Sequence, residues 1–141
     1  MAIMDMDCIF CKIIDGTIPS YTIYEDEMFK VFLDIAPAAL GHALIVPKAH
    51  CTDIFQLPEK YVASILTVAQ KVANALKESL GCDGFNILQN NGASAGQTVF
   101  HFHTHIIPRY ENDGLKIGWN PLSPTQEELS KIYAKLSTTD R

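Results

Sequence analysis

Three of the five histidines in this chain fall at alternate positions in HFHTHIIPR, residues 101–109. Alternation is the side-chain period of a β-strand, so the sequence predicts a strand that turns His101, His103 and His105 to one face. Neutral imidazole is nucleophilic, titrates near neutrality and ligates transition metals. One ion held by all three is disfavoured, because strand residues four apart are separated by ~13 Å, whereas a pair at ~6.6 Å can chelate. A central nucleophilic His103, flanked by imidazoles that orient it and manage protons, uses the spacing better. A solvated polar strand face is the bland alternative, and it needs three uncommon residues on one face by accident.

The loop before this stretch, NGASAGQT (91–98), contains Gly92 and Gly96, two alanines, Ser94 and Thr98. Small residues let backbone N–H groups approach an anion, and hydroxyls add donors. Such a loop is often only a turn. Beside the histidines it reads as a phosphate pocket supplying the charge stabilisation that phosphoryl chemistry requires. His103 would then attack phosphorus to give a covalent phospho-histidine-type intermediate that water resolves. Near the start, CIFC sets Cys8 and Cys11 at Cys-x-x-Cys spacing. That spacing suits two thiolates on one zinc, but it is half of a four-ligand structural site. A redox dithiol normally follows a strand, and no strand is expected before this pair.

These groups need a scaffold. CIFCKIIDGTIPS reads as a short helical or turn segment ending at Gly16, and YTIYED and FKVFLD as a hairpin. HALIVP is a further strand closed by Pro47. From Pro58 to Leu80, apolar residues recur at helical spacing (Val62, Ile65, Leu66, Ala69, Val72, Ala73, Leu76, Leu80), with Gly81 as the stop. GFNILQN returns to strand, and SPTQEELSKIYAKL predicts a second helix with Ser123 as N-cap, Pro124 at N1 and Gln126 completing a capping box. Hairpin-linked strands around one long helix predict an α+β antiparallel meander.

The 141 residues make one domain's worth of chain, 48% hydrophobic and 19% charged. A net charge of −5 argues against a general nucleic-acid backbone binder. No apolar run approaches a membrane span, and MAIMDMDC lacks a signal-peptide pattern, so a cytoplasmic protein with reduced cysteines is expected. Cys51 and Cys82 lack partners at useful spacing and read as buried or incidental.

HFHTHII resembles the histidine-triad motif of the HIT superfamily, His-φ-His-φ-His-φ-φ, with Thr104 departing from the hydrophobic pattern. CIFCKIIDGTIPS, FLDIAPAALGHALIVPKAH and NNGASAGQTVFHFHTHIIPR resemble, in that order, the Hint branch. The resemblance implies one HIT domain over 1–141, with a core of about 8–110 and a C-terminal extension carrying the second helix. It implies a nucleotide hydrolase or transferase acting at an α-phosphate through a nucleotidyl-histidine intermediate, with a purine nucleoside phosphoramidate as the first expected substrate. Dinucleoside polyphosphate cleavage, or a nucleotide-binding module with little turnover, are the alternatives. On matching positions His103 is the nucleophile, His105 faces the phosphate or leaving group, and His42 completes the cluster from a neighbouring strand. Asn90, Gln97, Thr98 and Val99 would line the phosphate pocket. Asp34 would accept from ribose hydroxyls, and Ile9, Phe10, Ile13, Phe32, Leu33 and Ile35 would enclose the base. Some Hint-branch proteins and the related galactose-1-phosphate uridylyltransferases complete a zinc site with two histidines, here His50 and His101 beside Cys8 and Cys11. A homodimer built through the long helix and an edge strand is also implied.

Overall fold

The computed structural model describes residues 4–137; the terminal parts of the expected 1–141 domain lie outside the described residues. The elements are α1 (Ile9–Ile14), β1 (Thr22–Glu25), β2 (Phe29–Leu33), β3 (Ala43–Pro47), α2 (Glu59–Leu80), β4 (Gly84–Gln89), a 3-10 turn (Ala93–Ala95), β5 (Thr104–Arg109) and α3 (Gln126–Ser137). The fold class is α+β, as expected, with all pairings antiparallel.

The meander runs only through β1, β2 and β3. The sheet order is β1-β2-β3-β5-β4, so the chain leaves β3 through α2, skips one place to lay down β4, and returns to fill the gap with β5. The crossover has a simple cause. Because α2 carries the chain back along the sheet, β3 and β4 run in the same direction, and a strand antiparallel to both fits between them. β5 thereby gains a hydrogen-bonding partner on each side, pairing Leu44 and Leu88 with His105 and Ala43 and Ile87 with Ile106.

Strand alternation divides the interior into two cores. On one face Phe29, Val31, Ala43, Ile45, Phe102 and Ile106 meet Tyr61, Val68, Ala69, Val72 and Leu76 of α2. The other face buries Phe32, Leu44 and Val46 under Phe10 and Ile13 of α1. Thr104 is buried within the strand at the parity of Phe102 and Ile106, so its departure from the triad pattern bears on packing against α2. The helix ends where its Gly signal stands: Gly81 caps α2 at φ 63°, and Pro58 occupies the N-cap. Gly41, at φ +98°, lets the loop before β3 pass the C-terminal end of α2.

Two local expectations are corrected. The cap of α3 is the Thr125–Glu128 pair: Glu128 N–H donates to Thr125 Oγ1 at 3.1 Å, and Glu128 Oε1 accepts from the Thr125 hydroxyl at 3.1 Å. The ionised Glu128 is the stronger reciprocal acceptor, which moves the box two residues past Ser123 and Gln126. The histidine strand is also shorter than expected, with the ladder opening at Thr104. Upstream, Phe102 N–H donates to the Cys51 carbonyl at 2.7 Å instead of continuing along β3. The next β3 positions end in Pro47, which has no N–H, and its carbonyl accepts from the His101 side chain.

Candidate active site

His103 and His105 lie on the face that α1 covers. Phe10 stands edge-on to His103 at a centroid distance of 5.0 Å and to His101 at 5.9 Å, and His103 is 4.9 Å from His105. His42, just before β3, adds a third imidazole 5.2 Å from His105. Thus the alternation places His101 and His103 under α1 even though both precede the ladder.

The hydrogen bonds fix which nitrogen of each ring is free. His103 Nδ1 lies 2.8 Å from the His101 carbonyl, which can only accept, so Nδ1 carries the proton and Nε2 keeps a lone pair. Ala38 N–H donates to His42 Nδ1 at 3.0 Å, which leaves the His42 proton on Nε2. That Nε2–H donates to His105 Nδ1 at 2.9 Å, with the Asp34 carboxylate 3.7 Å from the same nitrogen. Neutral His105 then carries its proton on Nε2. Buried without a full counter-charge, these rings stay neutral. Burial pushes His105 down to about 4, helped by neighbouring His103 and His42. It also lowers His103 and His42, with Asp34 pulling the other way in both. Asp34, His42 and His105 are close enough together to hold an ion, but the Ala38 amide forces the His42 proton onto the nitrogen a metal would need. The trio is a hydrogen-bonded pair of rings with a carboxylate beside it.

The second cluster has the opposite tautomer logic. His101 Nε2 donates to the Pro47 carbonyl at 2.8 Å, so its Nδ1 lone pair faces Cys8 Sγ at 3.4 Å and Cys11 Sγ at 3.6 Å. His50 Nδ1 stands 3.4 Å from Cys11 Sγ and 3.2 Å from His101 Nδ1, while Asp5 lies 3.8 Å from its Nε2. A tetrahedral zinc with ordinary Zn–S and Zn–N bonds has S···N edges of about 3.5 Å and N···N edges of about 3.3 Å. The donor set fits zinc. Burial raises the Cys11 thiol to about 11, so a divalent cation is what would make two thiolates tolerable there. Spacing alone had supplied only Cys8 and Cys11. The fold brings His50, from just beyond β3, and His101 to them.

The loop residues divide between structure and surface. Gln97 is buried and its amide is fully engaged: Oε1 accepts from Gly92 N–H at 2.7 Å, and Nε2 donates to the carbonyls of Thr52 at 2.7 Å and Val99 at 3.1 Å. Its side chain braces the loop and has no donor left for a phosphate. Among the described residues, the amides of Thr98 and Val99 donate to no protein acceptor. Thr98 and Val99 line, with Asp5, Asp7, Cys8, Ile9, His50 and Phe100, a cavity of about 330 Å³. Asn90 sits against the turn at Gly96.

The expected base-enclosing residues do not form one wall. Phe10, Ile13 and Phe32 are buried together on the histidine face, with half-exposed Ile9 at its rim. Ile35 is 88% exposed. The Leu33 side chain is on the other face, packed towards α2, because neighbours on a strand cannot point the same way. Arg109, which the motif reading passed over, anchors the exit from β5: it pairs with Asp113 at 2.8 Å and with Asn86 at 2.8 Å.

The site thus combines a fixed lone pair on one buried imidazole with a hydrogen-bonded pair of rings on an α+β sheet. Residues 15–112 match the HIT domain, and the chain belongs to the HIT family. It is 41% identical over 136 residues to the adenosine 5'-monophosphoramidase HNT1 of Saccharomyces cerevisiae, spanning 96% of this chain and 84% of that one. The structure resembles that of a HIT family protein from Bacillus anthracis at a TM-score of 0.87 and 47% identity, covering 96% of this chain and 99% of the other. A Zn-bound histidine triad family protein from Mycobacterium smegmatis matches at a TM-score of 0.76 and 41% identity, over 94% and 97% of the two chains.

Proposed function

We propose that the protein hydrolyses purine nucleoside phosphoramidates, with His103 as the nucleophile. The observation that carries the reading is the bond from His103 Nδ1–H to the His101 carbonyl, which leaves Nε2 free to attack. In this reading the Nε2 lone pair forms a bond to the α-phosphorus while the phosphorus–nitrogen bond of the substrate breaks. The departing amine takes the proton on His105 Nε2, which the water of the second step replaces, while the bond from His42 Nε2–H to Nδ1 orients the ring and spreads the developing charge. Water then attacks phosphorus, displaces His103 and yields the nucleoside monophosphate. The free amides of Thr98 and Val99 are suited to the negative charge on the phosphoryl oxygens. Asp34 is suited to ribose hydroxyls, and Phe10, Ile13 and Phe32 to the base. An anionic phosphate beside His105 opposes the effect of burial, so protonation of that ring is coupled to substrate binding.

The name of the yeast relative supports the phosphoramidate as substrate. Cys8, Cys11, His50 and His101 would hold a structural zinc, a reading supported by their spacing and by the Zn-bound relative. Bound there, zinc would supply cross-linking of α1 to the sheet and no chemistry at phosphorus. The whole chain is read as one HIT domain with a C-terminal extension, acting in the cytoplasm as a homodimer on small nucleotides. Among the described residues, no helix is long and apolar enough to cross a membrane. Exposed Val62 and Leu66 on α2 and Ile87 on edge strand β4 are surfaces for the second copy.

The deciding experiment is intact mass spectrometry after rapid mixing with an adenosine phosphoramidate. An adenylyl adduct should appear on wild-type protein and vanish in His103→Ala. A His103→Ala protein that still turns over at the wild-type rate would defeat the assignment.

A further inference from the structure

We propose that His101 is a positioning residue through which occupancy of the Cys8–Cys11–His50–His101 cluster controls the reactive tautomer of His103, an inference that rests on the nucleophile reading above. His101 is fully buried, and three of its polar atoms point to three different partners. Ring Nδ1 converges with the two thiols and with His50 Nδ1, ring Nε2 donates to Pro47 O at 2.8 Å, and the main-chain carbonyl accepts from His103 Nδ1 at 2.8 Å. With both ring nitrogens tethered to separate segments, the direction of the carbonyl follows the ring. This stretch precedes the β5 ladder, so sheet pairing does not hold it. Its main-chain tie is the Phe102 N–H to Cys51 carbonyl bond at 2.7 Å.

A cation at the centre of the cluster would fix this arrangement. The Nδ1 atoms of His50 and His101 face each other at 3.2 Å, and the Nε2 proton of His101 is committed to Pro47. Two lone pairs at that separation repel unless a positive ion or a shared proton lies between them. A divalent ion removes the repulsion and locks the ring. Without it the ring turns, the carbonyl swings with it, and the His103 proton is no longer confined to Nδ1. A proton on Nε2 blocks attack. The ion never touches the substrate, so its effect on the chemical step persists at saturating nucleotide.

The test uses the full chain labelled with ¹⁵N-histidine, compared zinc-loaded and after chelation, with Cys8→Ser as a second metal-free form. In the loaded protein, two-bond ¹H–¹⁵N correlations should show His103 protonated on Nδ1 alone. In metal-free but folded protein they should show the proton averaged over both nitrogens. The single-turnover rate of adduct formation at saturating substrate should fall about 10–100-fold, as for loss of a group that orients a reactive ligand. His101→Cys keeps four metal ligands but loses the Pro47 tie; it should retain zinc and lose rate, and it carries the test if both metal-free forms unfold. An identical His103 tautomer and adduct rate with and without metal, or a full rate in His101→Cys, would overturn the proposal. If no adduct forms on loaded wild-type protein, the nucleophile reading fails instead, and the tautomer measurement still decides the coupling.

Discussion

His42 donates its Nε2 proton to His105 Nδ1 across 2.9 Å, and the Ala38 amide on the far side of the His42 ring excludes the other tautomer. The direction of that hydrogen bond is therefore set by a main-chain N–H. Replacing His42 by Ala should lower turnover of substrates with basic leaving groups by about 10²-fold or more, and that of substrates with good leaving groups much less. Steady-state kinetics across a series of amine leaving groups measures the difference.

Acid should act on stability through the same pair. The folded pKa of His105 is about 4, below the 6.5 of a free imidazole, so between these values the unfolded chain binds the extra proton. Stability should be complete above about pH 6.5 and decline as pH falls towards 4, by up to about 3 kcal/mol from this ring. Urea denaturation from pH 7 to 4 measures the slope, and His105→Gln should flatten it.

Chelation should lower the melting temperature and release about one zinc per chain, since ion binding to a folded site adds directly to folding free energy. Metal analysis with calorimetry before and after chelator treatment checks this. Protein purified without metal and unchanged in stability by added zinc would count against the site.

Gln97→Glu tests the brace of the small-residue loop. A carboxylate cannot donate to the Thr52 and Val99 carbonyls that now accept from Nε2, and both would be left facing negative charge. A loss of about 2–4 kcal/mol in stability is expected, with weaker AMP binding. Denaturation and calorimetric titration provide the two readouts.

At Gly41, a Cβ would stand 2.5 Å from Leu80 Cδ1 and 3.2 Å from Pro108 Cγ, at a φ of +98° that other residues avoid. Gly41→Ala should cost about 1–3 kcal/mol, chiefly from backbone strain, because the half-exposed Leu80 side chain can move aside. Since His42 is the next residue, a fall in turnover should accompany the loss of stability.

Several features were legible in the sequence because one physical signal dominated each. The period of α2 and its Gly81 stop, the strand character around His105, and the α+β class all follow from periodicity and turn residues. Leu33 was legible too, since strand parity separates it from Phe32, but grouping it with the base-enclosing residues overrode that parity. The strand order was not, because nothing local in β4 or β5 says which sheet edge each will meet. Gln97 was misleading for a related reason: a polar residue in a loop rich in small residues suits a ligand or a brace equally well, and only burial decides. The tautomer of His103 depends on where the backbone leaves the ladder, which is a matter of Pro47 and Cys51 rather than of the triad itself.

The placement of β5 between β3 and β4 also makes two strands depend on a third. β4 pairs with no strand but β5, so without β5 both β4 and the inner edge of β3 would be unpaired. The piece that closes the gap is the segment carrying His103 and His105. A chain lacking that segment would have open strand edges and no His103 or His105. Closure of the sheet and assembly of the histidine face are therefore one structural event.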